Sequence, residues 1–218
     1  VMQSDGTAKR KVSIVSGPSK VAWLSPSRLA FLNNGRLYGI NHDSTNYSLI
    51  DNAEVPQAGP VGFLVSPNRR KIALDQNGRL NVIDLDTRQV TEIDRMASLL
   101  GGLAWSPDSQ KLAYTQMPGA RDAYIARADG SEKLEVASFV NARPYSYSFS
   151  PDGNVIALRA TVEVPGQGRV SAIFVVNADG TGLSKLLDNA LFSLWSPDGS
   201  KILFERENDW WIALLSPQ

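Results

Sequence analysis

A bulky apolar residue, a Ser-Pro pair and a short apolar strand follow one another five times along this 218-residue chain. The pairs are Ser25-Pro26, Ser66-Pro67, Ser106-Pro107, Ser150-Pro151 and Ser196-Pro197, spaced 40 to 46 residues apart. Leu24, Val65, Trp105, Phe149 and Trp195 precede them, and apolar runs at 29–31, 72–74, 112–114, 156–158 and 202–204 follow. A further pair, Ser216-Pro217, lacks this pattern and stands outside the repeat. A period of this length marks a chain built from one supersecondary unit that buries its apolar faces by stacking on its neighbours.

The spelling of the repeat gives its turn. Proline presets φ for a tight turn, Asp or Asn can bond its own backbone, and Gly tolerates the positive φ that follows. "SPDG" therefore reads as a hairpin between an inner strand and its neighbour. The first copy, "SPSRLAF", is two residues shorter and requires a tighter turn. Each unit continues with a third strand, as in "GRLYGI", "GRLNVID", "DAYIAR", "SAIFVV" and "WWIALL". A second turn ("RADGS", "NADGT") and a more polar fourth strand ("QVTEI", "KLEVA", "LSKLL") follow. Four short strands per unit predict an all-β fold, a β-propeller of four-stranded antiparallel blades.

The fifth unit stops after its third strand, and "SDGTAKRKVSIV" (4–15) resembles the turn and outer strand "ADGTGLSKLLDN" (178–189). This predicts a single domain over 1–218. It has five blades at about 17–50, 57–93, 98–137, 141–187 and 188–215, the last completed by 8–15 so that both chain ends share one sheet and leave no long bare edge. One detail pulls the other way: "VMQSDGT" also matches "VVNADGT", so the end of a third strand occurs twice, which suits a longer array.

Composition excludes several classes of function. Lys+Arg and Asp+Glu both total 22, so no global field favours nucleic acid or anionic lipid. No apolar run approaches the ~20 residues of a membrane span. Cysteine is absent, which removes disulfides, thiolate nucleophiles and Cys-ligated metals. The chain begins at Val1, which reads as a processed or excised segment with any targeting signal outside it.

"AWSPDSQKLAYT", "LWSPDGSKILFE" and "IFVVNADGT" resemble the WD-like β-propeller repeat of the TolB family, most closely in units three to five. Units one and two depart from it, with Leu24 and Val65 in place of the aromatic residue and "SPSR" and "SPNRR" in place of "SPDG". The resemblance implies a periplasmic or other extracytoplasmic protein that binds protein partners without catalysing a reaction. The same repeat also occurs in propellers that gate prolyl oligopeptidases and in some lyases, and fold alone does not assign function.

Asp108, Asp152 and Asp198, with Asp129 and Asp179, sit one per turn and do not converge, so they read as turn residues and no metal site or cofactor is expected. His42, the one histidine, reads as a solvated loop residue. No G-x-S-x-G elbow, Walker loop or dinucleotide fingerprint occurs. Trp105 and Trp195 read as packing between blades, Trp23 and Trp211 as core, with Trp210 left open.

Strand alternation puts the Ser-Pro and Asp-Gly turns on one face and the irregular segments on the other, where binding usually lives. That second face carries Arg95, Met96, Arg121, Arg143, Tyr145, Arg169 and Arg206 as the predicted binding residues, rich in the Arg and Tyr that interfaces favour. The expectation is a non-catalytic, monomeric binding or scaffold propeller for a protein or peptide partner. The alternatives are a propeller hydrolase or lyase acting on glycan or peptide, and a gating domain of a larger protein. The inner strands contain no Asp or Glu, which weighs against the enzyme.

Overall fold

A computed structural model describes residues 12, 20–34, 36–50, 62–76, 78–116, 119–191 and 194–215. The described chain forms five antiparallel sheets, each a meander of consecutive strands. Blade one holds β1 (Lys20–Ser25), β2 (Arg28–Asn33), β3 (Arg36–Asn41) and β4 (Ser48–Leu49). Blade two holds β5 (Gly62–Val65), β6 (Lys71–Gln76), β7 (Arg79–Asp84) and β8 (Val90–Asp94). Blade three holds β9 (Ala97–Trp105), β10 (Lys111–Gln116), β11 (Asp122–Arg127) and β12 (Lys133–Ser138). Blade four holds β13 (Ala142–Phe149), β14 (Val155–Val164), β15 (Gly168–Asn177) and β16 (Ser184–Asp188). Blade five has three strands among the described residues: β17 (Leu194–Trp195), β18 (Lys201–Arg206) and β19 (Asp209–Leu214).

The Ser-Pro turns are closed by their own side chains. Ser106 Oγ donates to Asp108 Oδ1 at 2.5 Å and accepts from the Lys111 amide at 2.8 Å, while the same carboxylate oxygen accepts from the Gln110 amide at 2.9 Å. Ser150 with Asp152, and Ser196 with Asp198, repeat this, and Asn68 replaces the aspartate beside Ser66. These bonds to Ser150 and to the Asn154 amide hold the Asp152 carboxyl below the usual carboxylate range. The fourth turn residue has positive φ at Arg69, Ser109, Gly153 and Gly199, the conformation that favours glycine. Serine, proline and aspartate recur because the turn uses each of them.

Register then sorts every blade into two faces. The column facing the preceding blade reads Val65–Ile72–Ile83 in blade two and Trp105–Leu112–Ala126 in blade three. It continues as Phe149–Ile156–Val176 and Trp195–Ile202–Ala213. The face toward the following blade centres on one alanine of the middle strand: Ala30, Ala73, Ala113 and Ala157, none more than 1% exposed. Ala73 shares a core cluster with Trp105, Ala113 with Phe149, and Ala157 with Trp195. The four core clusters are the four junctions between consecutive blades. Small residues on one face let the bulky slot residue of the next sheet approach closely, as close packing requires.

Blade one departs from the predicted alignment. Its shortened turn shifts the register between Trp23 and Ser25, so Trp23, not Leu24, pairs with Leu29 and enters the column. Leu24 turns to the other face and packs into the junction with blade two. Trp105 and Trp195 are buried between blades as expected, at 7% and 9% exposure. Trp23 and Trp211, expected in the core, are each 50% exposed. Trp23 lies on the first blade's outward face, and Trp211 on β19, the edge of a three-stranded sheet. Among the described residues no core cluster joins blade five to blade one. Residues 9–15, expected to complete blade five, and the duplicated strand end at 1–3 lie outside the described residues, apart from half-buried Val12.

Candidate binding face

Because all strand pairs are antiparallel, the middle-to-third-strand turns and the blade-to-blade connections share the face opposite the Ser-Pro turns. This face is more ordered than its sequence suggests. The segment 161–169 is largely hairpin: β14 and β15 pair from Val155↔Asn177 out to Val164↔Gly168. The glycine-rich stretch 94–102 likewise enters β9, whose Ala97 and Ser98 pair with Gln116 and Thr115.

The structure divides the predicted binding residues by what they touch. Arg121, Arg143 and Arg169 are exposed, and among the described residues no carboxylate pairs with any of them. Arg121 precedes β11, Arg143 is the second residue of β13, and Arg169 lies opposite Glu163 in the long hairpin. Arg95 is exposed but paired: its Nε meets Glu92 Oε1 at 2.7 Å, and Arg79 holds the other oxygen at 3.2 Å. Met96 is 46% exposed beside it, with its amide donating to Asp94 Oδ1 at 2.9 Å.

Tyr145 and Arg206 work inward instead. Tyr145 sits at the irregularity between Pro144 and Ser146, where a bulge re-aims its ring. Its hydroxyl is 3.1 Å from Ser171 Oγ, which donates to the Ala190 carbonyl at 2.8 Å. The Arg159 guanidinium lies 4.5 Å from the Tyr145 ring centroid and donates to the Leu191 carbonyl. Arg206 donates to the Asp188 carbonyl at 2.5 Å. Two arginines from different blades therefore hold the connection at 188–191 between blades four and five. Arg159 was missed from sequence, and the one available signal is a cation inside the apolar strand "VIALRA". Backbone contact fixes the neighbourhood: a Cβ on Gly102 (φ +81°) would stand 2.5 Å from the Tyr145 carbonyl oxygen, so only glycine fits there.

Behind Met96 lies a buried polar knot. Asp94 accepts from Lys133 Nζ at 2.6 Å and from the Tyr114 hydroxyl at 2.8 Å. Burial pushes the Asp94 carboxyl up, but the bonds from Lys133, the Met96 amide and Tyr114 outweigh it and leave the group below its ordinary value. Burial and the Asp94 partner push the Tyr114 hydroxyl well up. This knot ties blade two to blade three and offers no open valence.

The opposite face has a depression of about 510 Å³ among the inner strands, lined by Leu64, Leu103, Trp105, Tyr147 and Phe149 and without a carboxylate. Among the described residues no three His, Asp or Glu side chains gather as metal ligands. His42 is half-buried at the end of β3 rather than fully solvated, with its Nδ1 unpartnered among the described residues.

No family model matches the chain. A stretch of 74 residues is 35% identical to the Tol-Pal system protein TolB of Hahella chejuensis, covering 31% of this chain and 17% of that protein. A putative TolB from Agrobacterium tumefaciens superposes with a TM-score of 0.58 at 19% identity, over 82% of this chain and 65% of that one. Porphyromonas gingivalis dipeptidyl peptidase 4 gives 0.63 at 11% identity, over 88% of this chain and 37% of that one. The chain thus spans less than two thirds of each of these proteins. At such identities the two structural likenesses carry the fold and nothing finer.

Proposed function

Because this chain is a TolB-like β-propeller, we propose that it is a non-catalytic binding propeller that docks a protein or peptide partner on the face bearing Arg121, Arg143 and Arg169. One observation carries the reading: three exposed guanidinium groups without a carboxylate partner among the described residues, Arg143 and Arg169 on strands and Arg121 directly before one. Planar, forked donors of this kind recognise carboxylates in two-point contacts, so an acidic segment is the fitting partner. Tyr145, Arg159 and Arg206 support the site by holding its framework, and Met96 supplies an apolar contact at its rim. The relative's name, a Tol-Pal system protein, accords with work in an assembly of proteins. The same kinship supports an extracytoplasmic, periplasmic setting as part of this reading.

The test is capture of partners from a cell-envelope extract, followed by titration of the captured partner. Replacing Arg121, Arg143 and Arg169 together by alanine should weaken binding by at least about 1 kcal/mol while leaving the fold intact. Unchanged affinity would remove these residues from the site. The rival reading, a hydrolase or lyase, finds no pair of carboxylates on the inner strands, where acid–base chemistry at the axis would need them. Turnover in a screen of peptide and glycan substrates would reverse the ranking.

A further inference from the structure

The middle strand of four blades starts on a cation. Arg28, Lys71, Lys111 and Lys201 open β2, β6, β10 and β18, each one residue ahead of the position that pairs with the bulky residue of the inner strand. Blade four has Val155 there, opening β14 just ahead of the Ile156↔Phe149 pair.

The exception leaves one turn without its charge partner. In blade five, Lys201 Nζ lies 3.8 Å from Asp198 Oδ2. In blade three, burial pushes the Asp108 carboxyl up, but the bonds from Ser106 and the Gln110 amide, with the charges of Lys111 and Arg127, bring it below its ordinary value. Blade four lacks both cations, with Val155 in the place of Lys111 and Asn177 in the place of Arg127. Asp152 accepts from Ser150 Oγ and from the amide and side chain of Asn154, and among the described residues no cation pairs with it.

The space beside Val155 is open. A cleft of about 720 Å³ lies between blades four and five on the face of the Ser-Pro turns. Val155, Val175, Leu186 and Trp195 give it apolar walls, and Asp152 stands among its polar groups. Its other carboxylate, Asp198, is the one that Lys201 already meets. The cleft has the size of pockets that hold small organic ligands. Apolar walls beside one uncompensated carboxylate select a cation on an aliphatic stem, which lays its methylenes on the walls and its charge on the acid.

We propose that the cleft between blades four and five binds an alkylammonium group, with the ammonium on Asp152 and the aliphatic chain against Val155, Val175 and Leu186. The ligand supplies the cation that blade four lacks. A free aliphatic amine and the lysine side chain of a peptide share this chemistry. The cleft opens on the face opposite Arg121, Arg143 and Arg169, so the inference stands apart from the role proposed for those residues.

The test titrates the full chain with hexamethylenediamine, with a blocked glycine-lysine-glycine tripeptide and with hexanol, following the Leu186 amide and the Trp195 indole N–H by NMR. The expected result is a saturable shift with at least one of the two amines and none with hexanol, and the amine that binds more tightly identifies the source. Asp152→Asn removes the charge and keeps the turn, because Asn68 accepts the equivalent bonds from Ser66 Oγ and the Arg70 amide in blade two. It should weaken binding by about tenfold. Val155→Lys gives blade four the residue that opens β6, β10 and β18, and it should abolish binding by supplying the cation from within. No saturable shift with either amine, equal shifts with hexanol, or undiminished affinity in either variant would overturn the proposal.

Discussion

The indole N–H of Trp195 donates to the main-chain carbonyl of Ser148 at 3.1 Å, reaching back from blade five into the inner strand of blade four. Trp105 does the same to Leu64 at 3.0 Å, one junction in each case. The repeat's tryptophan is thus both filler and donor. Trp195→Phe retains most of the packing but leaves that carbonyl without its donor, at a cost of about 1 kcal/mol. Trp195→Ala also opens a cavity and should cost about 3–5 kcal/mol. Urea titration with unchanged slope would measure both, and equal midpoints for the two variants would contradict the dual role.

The alanine opposite each slot residue gives the converse prediction. Ala113 is fully buried under the neighbouring blade and shares its cluster with Phe149. Ala113→Leu should force blades three and four apart and cost about 1–3 kcal/mol. Blade five carries Leu203 at the same position, half-buried on a face whose Leu194 and Ile212 are exposed. Leu203→Ala should therefore cost less than the ~2–5 kcal/mol of a fully buried leucine. Thermal unfolding of the two variants side by side checks the contrast.

How far the sequence reached follows from what the repeat encodes. Strand order and turn chemistry were legible because the Ser-Pro-Asp turn needs those residue types and strand pairing fixes the rest. Counting from the Ser-Pro pair failed at Trp23, since a turn two residues shorter changes which side chain faces the junction. The length of the blade-four hairpin, paired out to Val164↔Gly168, is not spelled by the repeat, because no repeated turn marks where those two strands end. Arg159 was invisible as a site residue because a single cation in a strand has no motif. Its role depends on a ring from β13 and a carbonyl from the blade connection, contacts that no local pattern announces.

Acid should loosen the junction between blades two and three. Asp94 has a lowered folded pKa, so its contribution to stability is present above the unfolded carboxylate value near ~3.9 and is lost as pH falls through the folded one. Asp94→Asn removes the charge that Lys133 faces. The expected loss at neutral pH is roughly 2 kcal/mol, below that of a fully buried pair because Lys133 is one-third exposed. The variant's stability should also change less than the wild type's on acidification below pH ~4. Parallel acid-unfolding profiles for the two proteins would refute this assignment.

Arg159 yields a prediction about local order rather than global stability. Its guanidinium covers the Tyr145 ring and bonds the Leu191 carbonyl, while the Leu191 amide donates to the Glu205 carbonyl at 2.9 Å. Arg206 holds Asp188 three residues earlier, so the connection is pinned at two points. Removing one pin should release one end of the connection and leave the blade cores intact, because neither cluster flanking it includes Arg159. Arg159→Leu should raise hydrogen exchange at the Ala190 and Leu191 amides by about tenfold, equivalent to ~1.4 kcal/mol of local opening. Amides in the middle of β14 and β15 should exchange as before. If partner binding on this face depends on the ordered connection, affinity should fall in the same variant while the unfolding midpoint moves little. A uniform rise in exchange across blade four would instead make Arg159 a general structural support.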